Sequence, residues 1–126
     1  MPILIPQGIS VREAKQIIRD MQVLLSRRRS HLVSRKKFLA DYHTLRTELE
    51  LTPEYAQFHS SVCFRSGGVC ERRGKGCEGS ASHVHHRVPV SRAPHMALDV
   101  NFAEHVCVEC HRASDSNHQR WLKDAS

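Results

Sequence analysis

CVECH, residues 107–111, is the stretch on which the reading of the fold turns. A Cys-x-x-Cys delivers two thiolates from one tight turn, at the separation that tetrahedral zinc requires. Two more thiolates must then come from upstream. Cys70 and Cys77 enclose ERRGKG, whose two glycines let the loop turn back, and Cys63 and Cys70 enclose FRSGGV, which could also turn. The Cys70–Cys77 pair is preferred, because Val62, Cys63 and Phe64 read as the apolar end of a preceding helix. Cys63 is then expected to be a buried free thiol, a common fate for cysteine. Two pairs about 30 residues apart predict a structural zinc site of Cys70, Cys77, Cys107 and Cys110. Such a site is closed and four-coordinate, contributes folding energy, and does no chemistry itself. CVECH also matches the attachment motif of a c-type haem. Haem would leave the second cysteine pair unexplained, and its attachment takes place outside the cytosol.

Composition frames this reading. The chain has 126 residues, enough for one modest domain or a small domain with an extension. A core of that size is thin, and a metal is a common staple. The formal net charge of +6 favours a polyanionic partner, nucleic acid above all. The opening MPILIPQGIS has neither the basic n-region nor the apolar run of a secretory signal. No segment approaches the roughly 20 apolar residues of a membrane span. A cytoplasmic protein with reduced thiols and no membrane partner is expected.

The two halves differ. Ser10 with Glu13 reads as a capping box, with Ile9 and Ala14 as a hydrophobic staple. Apolar residues recur at Val11, Ala14, Ile18, Met21 and Leu25, and again at Leu32, Leu39, Tyr42, Leu45 and Leu49. That spacing gives a buried helical stripe. Between the runs, SRRRSHLVSRKK (26–37) contains no Gly or Pro, so one long helix and two helices with a kink both fit. The basic run is either a solvated helix face or a phosphate-contacting stripe. Thr52, Pro53 and Glu54 read as N-cap, N1 proline and first-turn acid of a further helix. From Cys63 onward come all five cysteines, seven of the ten histidines and five of the six glycines. The expectation is an α+β protein with a helical N-terminal extension over 1–59 and a metal-organised module over 60–126.

Within that module, VHHRVP at 84–89, then Asn101, then CVECH, with GGVCERRGKGC ahead of them, resembles the HNH endonuclease family in its zinc-stabilised form typical of phage and mobile elements. The resemblance covers roughly residues 60 to 118. It implies a ββα-metal fold, a hairpin and helix wrapped round one divalent ion, and hydrolysis of DNA phosphodiesters to 5′-phosphate and 3′-hydroxyl ends. A phage-encoded protein of this kind works in the bacterial host cytoplasm.

By position, the resemblance makes His85 a ligand of the catalytic ion and His86 the general base. Adjacent strand residues face opposite ways, which suits two different tasks. An imidazole titrates near neutrality, as a base for water must. Asn101 would orient the base. His111 would be the second ligand, with Asp115 as a third and His118 as its rival. Mg2+ or Mn2+ is the expected ion, with Zn2+ or Ni2+ as alternatives. Arg87 and Arg92 are expected to hold phosphate oxygens, and Arg72, Arg73 and Lys75 to track the backbone. His83 is expected to be a bystander, and His95 and His105 plain surface residues. Asn101 to His111 is one residue longer than the family spacing, which a bulge would absorb. Two other readings stay open: a non-catalytic zinc module that binds nucleic acid, and a helical adaptor or homodimer built on the N-terminal helices.

Overall fold

The computed structural model describes residues 12–113. Its order is α1 (Ala14–Arg29), α2 (Arg35–Glu50), α3 (Pro53–Ser66), β1 (His83–His86), two 3-10 turns (Pro94–Met96 and Val100–Phe102) and β2 (Ala103–Val106). A helical segment, α4, occupies 108–113. The class is α+β, with a two-stranded antiparallel sheet. No helix among the described residues is long and apolar enough to cross a membrane.

The basic stretch is not one helix. α1 stops at Arg29, and His31 takes a left-handed φ of 58°. The His31 N–H donates to the Arg28 carbonyl and the Leu32 N–H to the Arg27 carbonyl. These are the two bonds of a Schellman termination, with histidine where glycine usually stands. Arg27, Arg28 and Arg29 occupy the last turn, where cations face the negative end of the helix dipole. Ser34 then caps α2 by accepting the Lys37 N–H at 3.1 Å. At the other end of this helical hairpin, Arg12 pairs with both Asp20 and Glu48.

The start of α1 differs from the capping-box expectation. Glu13 is itself the N-cap, without a side-chain cap bond, not the third helical residue. Ile9, Ser10 and Val11 lie outside the described residues. Ala14, Ile17, Met21, Leu24 and Leu25 of α1 bury against Phe38, Tyr42 and Leu49 of α2. Each fully buried aliphatic or aromatic side chain contributes about 1.5–3 kcal/mol. Leu32, read as part of the stripe, is 68% exposed, because it sits in the turn.

The helical half shares its core with the second half. Its core also takes in Val90 and Ala97 from the connection between the strands. That connection turns at Pro89, whose carbonyl accepts from the N–H groups of Arg92 and Ala93. The boundary expected at 59/60 falls inside α3. Thr52 caps this helix by accepting the Tyr55 N–H, Pro53 and Glu54 follow in its first turn, and Gly67 ends it at a φ of 62°. Phe58 and Val62 pack on Ala103, with Val84, Leu98 and Val100 around them. Phe64, two residues on, is 91% exposed, so the end of α3 buries one face only.

An ion pair ties α3 to the sheet. Arg65 donates from Nε and Nη2 to the Glu71 carboxylate at 2.9 and 2.7 Å, and to the carbonyls of Val100 and Ala103. The His105 N–H adds a third bond to Glu71 at 2.7 Å. The Arg65 hydrogen bonds hold the Glu71 carboxyl below the usual carboxylate range, against the opposing effect of burial. A folded pKa below the unfolded one gives stability that is present above the ordinary Glu range and is lost as pH falls through the folded value. Glu71→Gln is therefore expected to lower stability at neutral pH by about 1 kcal/mol, discounted because Arg65 is partly exposed. It should also flatten the acid limb of a plot of Tm against pH. An unchanged acid limb would remove Glu71 from this role.

Candidate metal and catalytic site

Cys70, Cys77, Cys107 and Cys110 place their sulfurs within 4.8 Å of one another. Among the described residues this is the one group of three or more ligand atoms gathered so closely. Tetrahedral zinc with Zn–S bonds of 2.3 Å would separate its sulfurs by about 3.8 Å. Cys77 and Cys107 stand 3.9 Å apart. The upstream pair is shaped by an isolated bridge between Val69 and Ser80 and by the Cys70 N–H bonding the Gly79 carbonyl. Backbone N–H groups of Glu78 and Cys110 point at the Cys107 sulfur, and that of Gly79 at Cys77. Such donors favour thiolate over thiol.

The four thiols are accordingly unequal. Burial pushes Cys70 up, but backbone N–H groups near Arg73, Cys107 and Arg72, with Cys77, outweigh it and bring the thiol to about 6. The Gly74 backbone holds Cys110 down, yet burial and the three neighbouring sulfurs push it up to about 12. Cys107 is likewise held down, chiefly by the Glu78 and Cys110 backbone N–H groups, so two thiolates are favoured while their neighbours resist further charge, an arrangement that a dication resolves. The donor set and spacing fit a structural metal such as zinc. Gly74 lies where an added Cβ would come within 3.8 Å of the Cys110 sulfur, so the loop passes close over the cluster. Cys63 stands outside the quartet, as the preferred pairing required, but is half-buried rather than buried.

The sheet is the second component. β1 and β2 pair in an unbroken register, His83↔Val106, Val84↔His105, His85↔Glu104 and His86↔Ala103. No bulge interrupts these four pairs, and the preceding 3-10 turn holds Asn101. His83 and His85 share one face of β1, and His86 takes the other. Cys107 and Cys110 anchor the start of α4, whose His111 lies against that first face. Its ring is 4.8 Å from His83, nearly parallel, and 5.7 Å from His85, edge-on. The His85–His111 pair is thus brought together. His83, read as a bystander, belongs to the same cluster. Its spacing of two from His85 was the available signal. Asp115 and His118 lie outside the described residues.

His86 is buried against α3. Its ring stacks on Phe58 at 5.3 Å, and its Nε2 lies 2.8 Å from the Ala97 carbonyl. A carbonyl only accepts, so Nε2 carries the proton and Nδ1 the lone pair. A backbone carbonyl in the connection thus helps to orient the ring. Asn101 is exposed, its N–H donating to the Asp99 carboxylate and its carbonyl 3.5 Å from the Arg87 guanidinium. A backbone carbonyl carries no side-chain signature, so neither Ala97 nor Phe58 could be singled out from residue types.

The arginines divide. Arg72 is committed to Glu104 at 2.6 Å, directly across the sheet from His85, whereas Arg73, Lys75, Arg87 and Arg92 are exposed. His95 is exposed. His105 is not a surface residue but is buried at 8% exposure, and burial holds its pKa below the ordinary imidazole range. Comparison of the chain with protein-family models, with curated proteins and with solved structures finds no match.

Proposed function

We propose that this protein is a metal-dependent endonuclease of the HNH type, hydrolysing DNA phosphodiesters on a hairpin-and-helix scaffold held by structural zinc. The observation that carries the reading is the pairing of His85 with His111 on one face of β1, while His86 on the other face is fixed by the Ala97 carbonyl. His85 and His111 would hold a divalent cation, with Asp115 as the further candidate. A bound cation supplies charge stabilisation at the scissile phosphate and the leaving oxygen. His86 takes the proton of the attacking water on Nδ1, its tautomer set by Ala97. Arg87, next to His86 in the chain, and Arg92, both exposed, would neutralise phosphate oxygens. A net charge of +6 fits a polyanionic substrate.

The test is nicking of a supercoiled plasmid by the zinc-loaded protein in Mg2+ or Mn2+. Wild type should convert supercoiled to open-circular DNA, and a chelator weak enough to leave the quartet loaded should stop it. His85→Ala and His111→Ala should each lower the rate by at least about 100-fold. Tight DNA binding by the wild type with no cleavage in any divalent ion would sink the nuclease reading and favour a zinc-stabilised binding module.

A further inference from the structure

A second group of soft ligands lies apart from both the cysteine quartet and the His85–His111 pair. Cys63 and His59 stand one turn apart on α3, with Sγ 3.6 Å from Nδ1. From β2, His105 brings Nε2 to 3.8 Å from the same sulfur. For Zn–S of 2.3 Å and Zn–N of about 2.05 Å, a tetrahedral angle separates the two ligand atoms by about 3.6 Å. Both contacts match that separation.

The surroundings prepare His105 for ligation. Ser66 has one hydroxyl proton, donated to the Cys63 carbonyl at 3.0 Å. Its oxygen is then an acceptor for His105 Nδ1 at 2.6 Å and for the Gly68 N–H at 3.2 Å. Nδ1 therefore carries the ring proton, and the Nε2 lone pair faces Cys63. A histidine whose other nitrogen donates to a fixed oxygen is the usual form of a metal-bound imidazole. The three atoms converge less tightly than the quartet. His59 is exposed, so rotation of its ring can close the third side.

We propose that Cys63, His59 and His105 form a second metal site, for a soft or borderline divalent ion such as Zn2+ or Co2+, with a fourth position left to solvent. Binding releases the Cys63 proton and clasps α3 to β2. Three protein ligands with one open position distinguish it from the closed cysteine quartet.

The test uses the full chain with one zinc in the quartet, titrated with Co2+ while zinc release is followed by mass spectrometry. The expected result is one further Co2+ per chain with a thiolate-to-cobalt charge-transfer band and no zinc displaced. Cobalt at the His85–His111 pair has no sulfur ligand and gives no such band. Cys63→Ser should abolish the band, and His59→Ala, at an exposed position, should weaken binding at least tenfold. A band that survives Cys63→Ser, a band that grows only as zinc leaves, or the absence of any band would each overturn the proposal. An unchanged affinity in His59→Ala would remove His59 and with it the three-ligand site.

Discussion

Cys107→Ser is expected to release the quartet's metal and unfold the segments around it, the largest stability loss of any single substitution in this chain. The packed cluster there consists of Cys70, Cys107 and Cys110 with Val106, and Cys77 at its margin. One valine among thiols is little apolar surface to hold a fold, and a structural metal such as zinc on the quartet would supply what burial does not. For structural zinc that energy is about 10–16 kcal/mol at neutral pH. The loss should reach the sheet, because β2 ends at Val106, and α4, because Cys110 lies within it. The helical signal of α1 and α2 should fall far less, since their core is aliphatic. Zinc content with thermal melting followed by circular dichroism checks this. Cys70→Ser should behave alike, and Cys63→Ser should keep the quartet's zinc. A full complement of zinc in Cys107→Ser, or an unchanged melt after metal removal, would sink the idea. Because the ligands bind metal as thiolates, acid should strip the ion and destabilise the wild type in the same way.

The features legible in the sequence are those in which residue type and spacing carry the physics. A Cys-x-x-Cys needs no tertiary information to make a turn of two thiolates, and the quartet gathers as its spacing implied. Thr52-Pro53-Glu54 is a local signal for a helix start and marks one. Adjacent histidines on a strand face opposite ways because of the pleat alone, so the separation of His85 from His86 follows from two residues.

What was not legible depended on partners remote in sequence or on the backbone. The break at 30–34 is made by a left-handed histidine, a residue enriched in that conformation but adopting it too rarely to mark His31 from its type alone. His105 is buried because α3 crosses β2, a packing that no local pattern encodes. Cys63 and Phe64 are adjacent on one helix, yet only the first turns toward the sheet. The family resemblance is what assigns Asn101 as the orienting group, whereas the Ala97 carbonyl carries no side-chain signature in a sequence. The carbonyl that helps to orient His86 is placed by the connection of residues 87–102, itself fixed where Val90 and Ala97 enter the helical core. The N-terminal helices thus reach the proposed site through packing, which a division at residue 59 conceals.

That coupling bears on the second large effect. His86→Ala should lower plasmid nicking by about 10²–10⁴-fold, the usual contribution of a positioned general base. At 1.36 kcal/mol per decade, this is about 3–5 kcal/mol of barrier. The alanine variant also loses the stack on Phe58 and the bond to Ala97, so a fall in rate could reflect local repacking. His86→Gln separates the two causes. Its side-chain amide can still donate to the Ala97 carbonyl, but it offers no basic nitrogen to water. Both variants should keep the quartet's zinc, and the glutamine variant should melt within a few degrees of wild type. Equal inactivity of the two would assign the loss to basicity. Nicking by His86→Gln above about one tenth of the wild-type rate would mean that His86 serves the fold, and that the water is activated elsewhere.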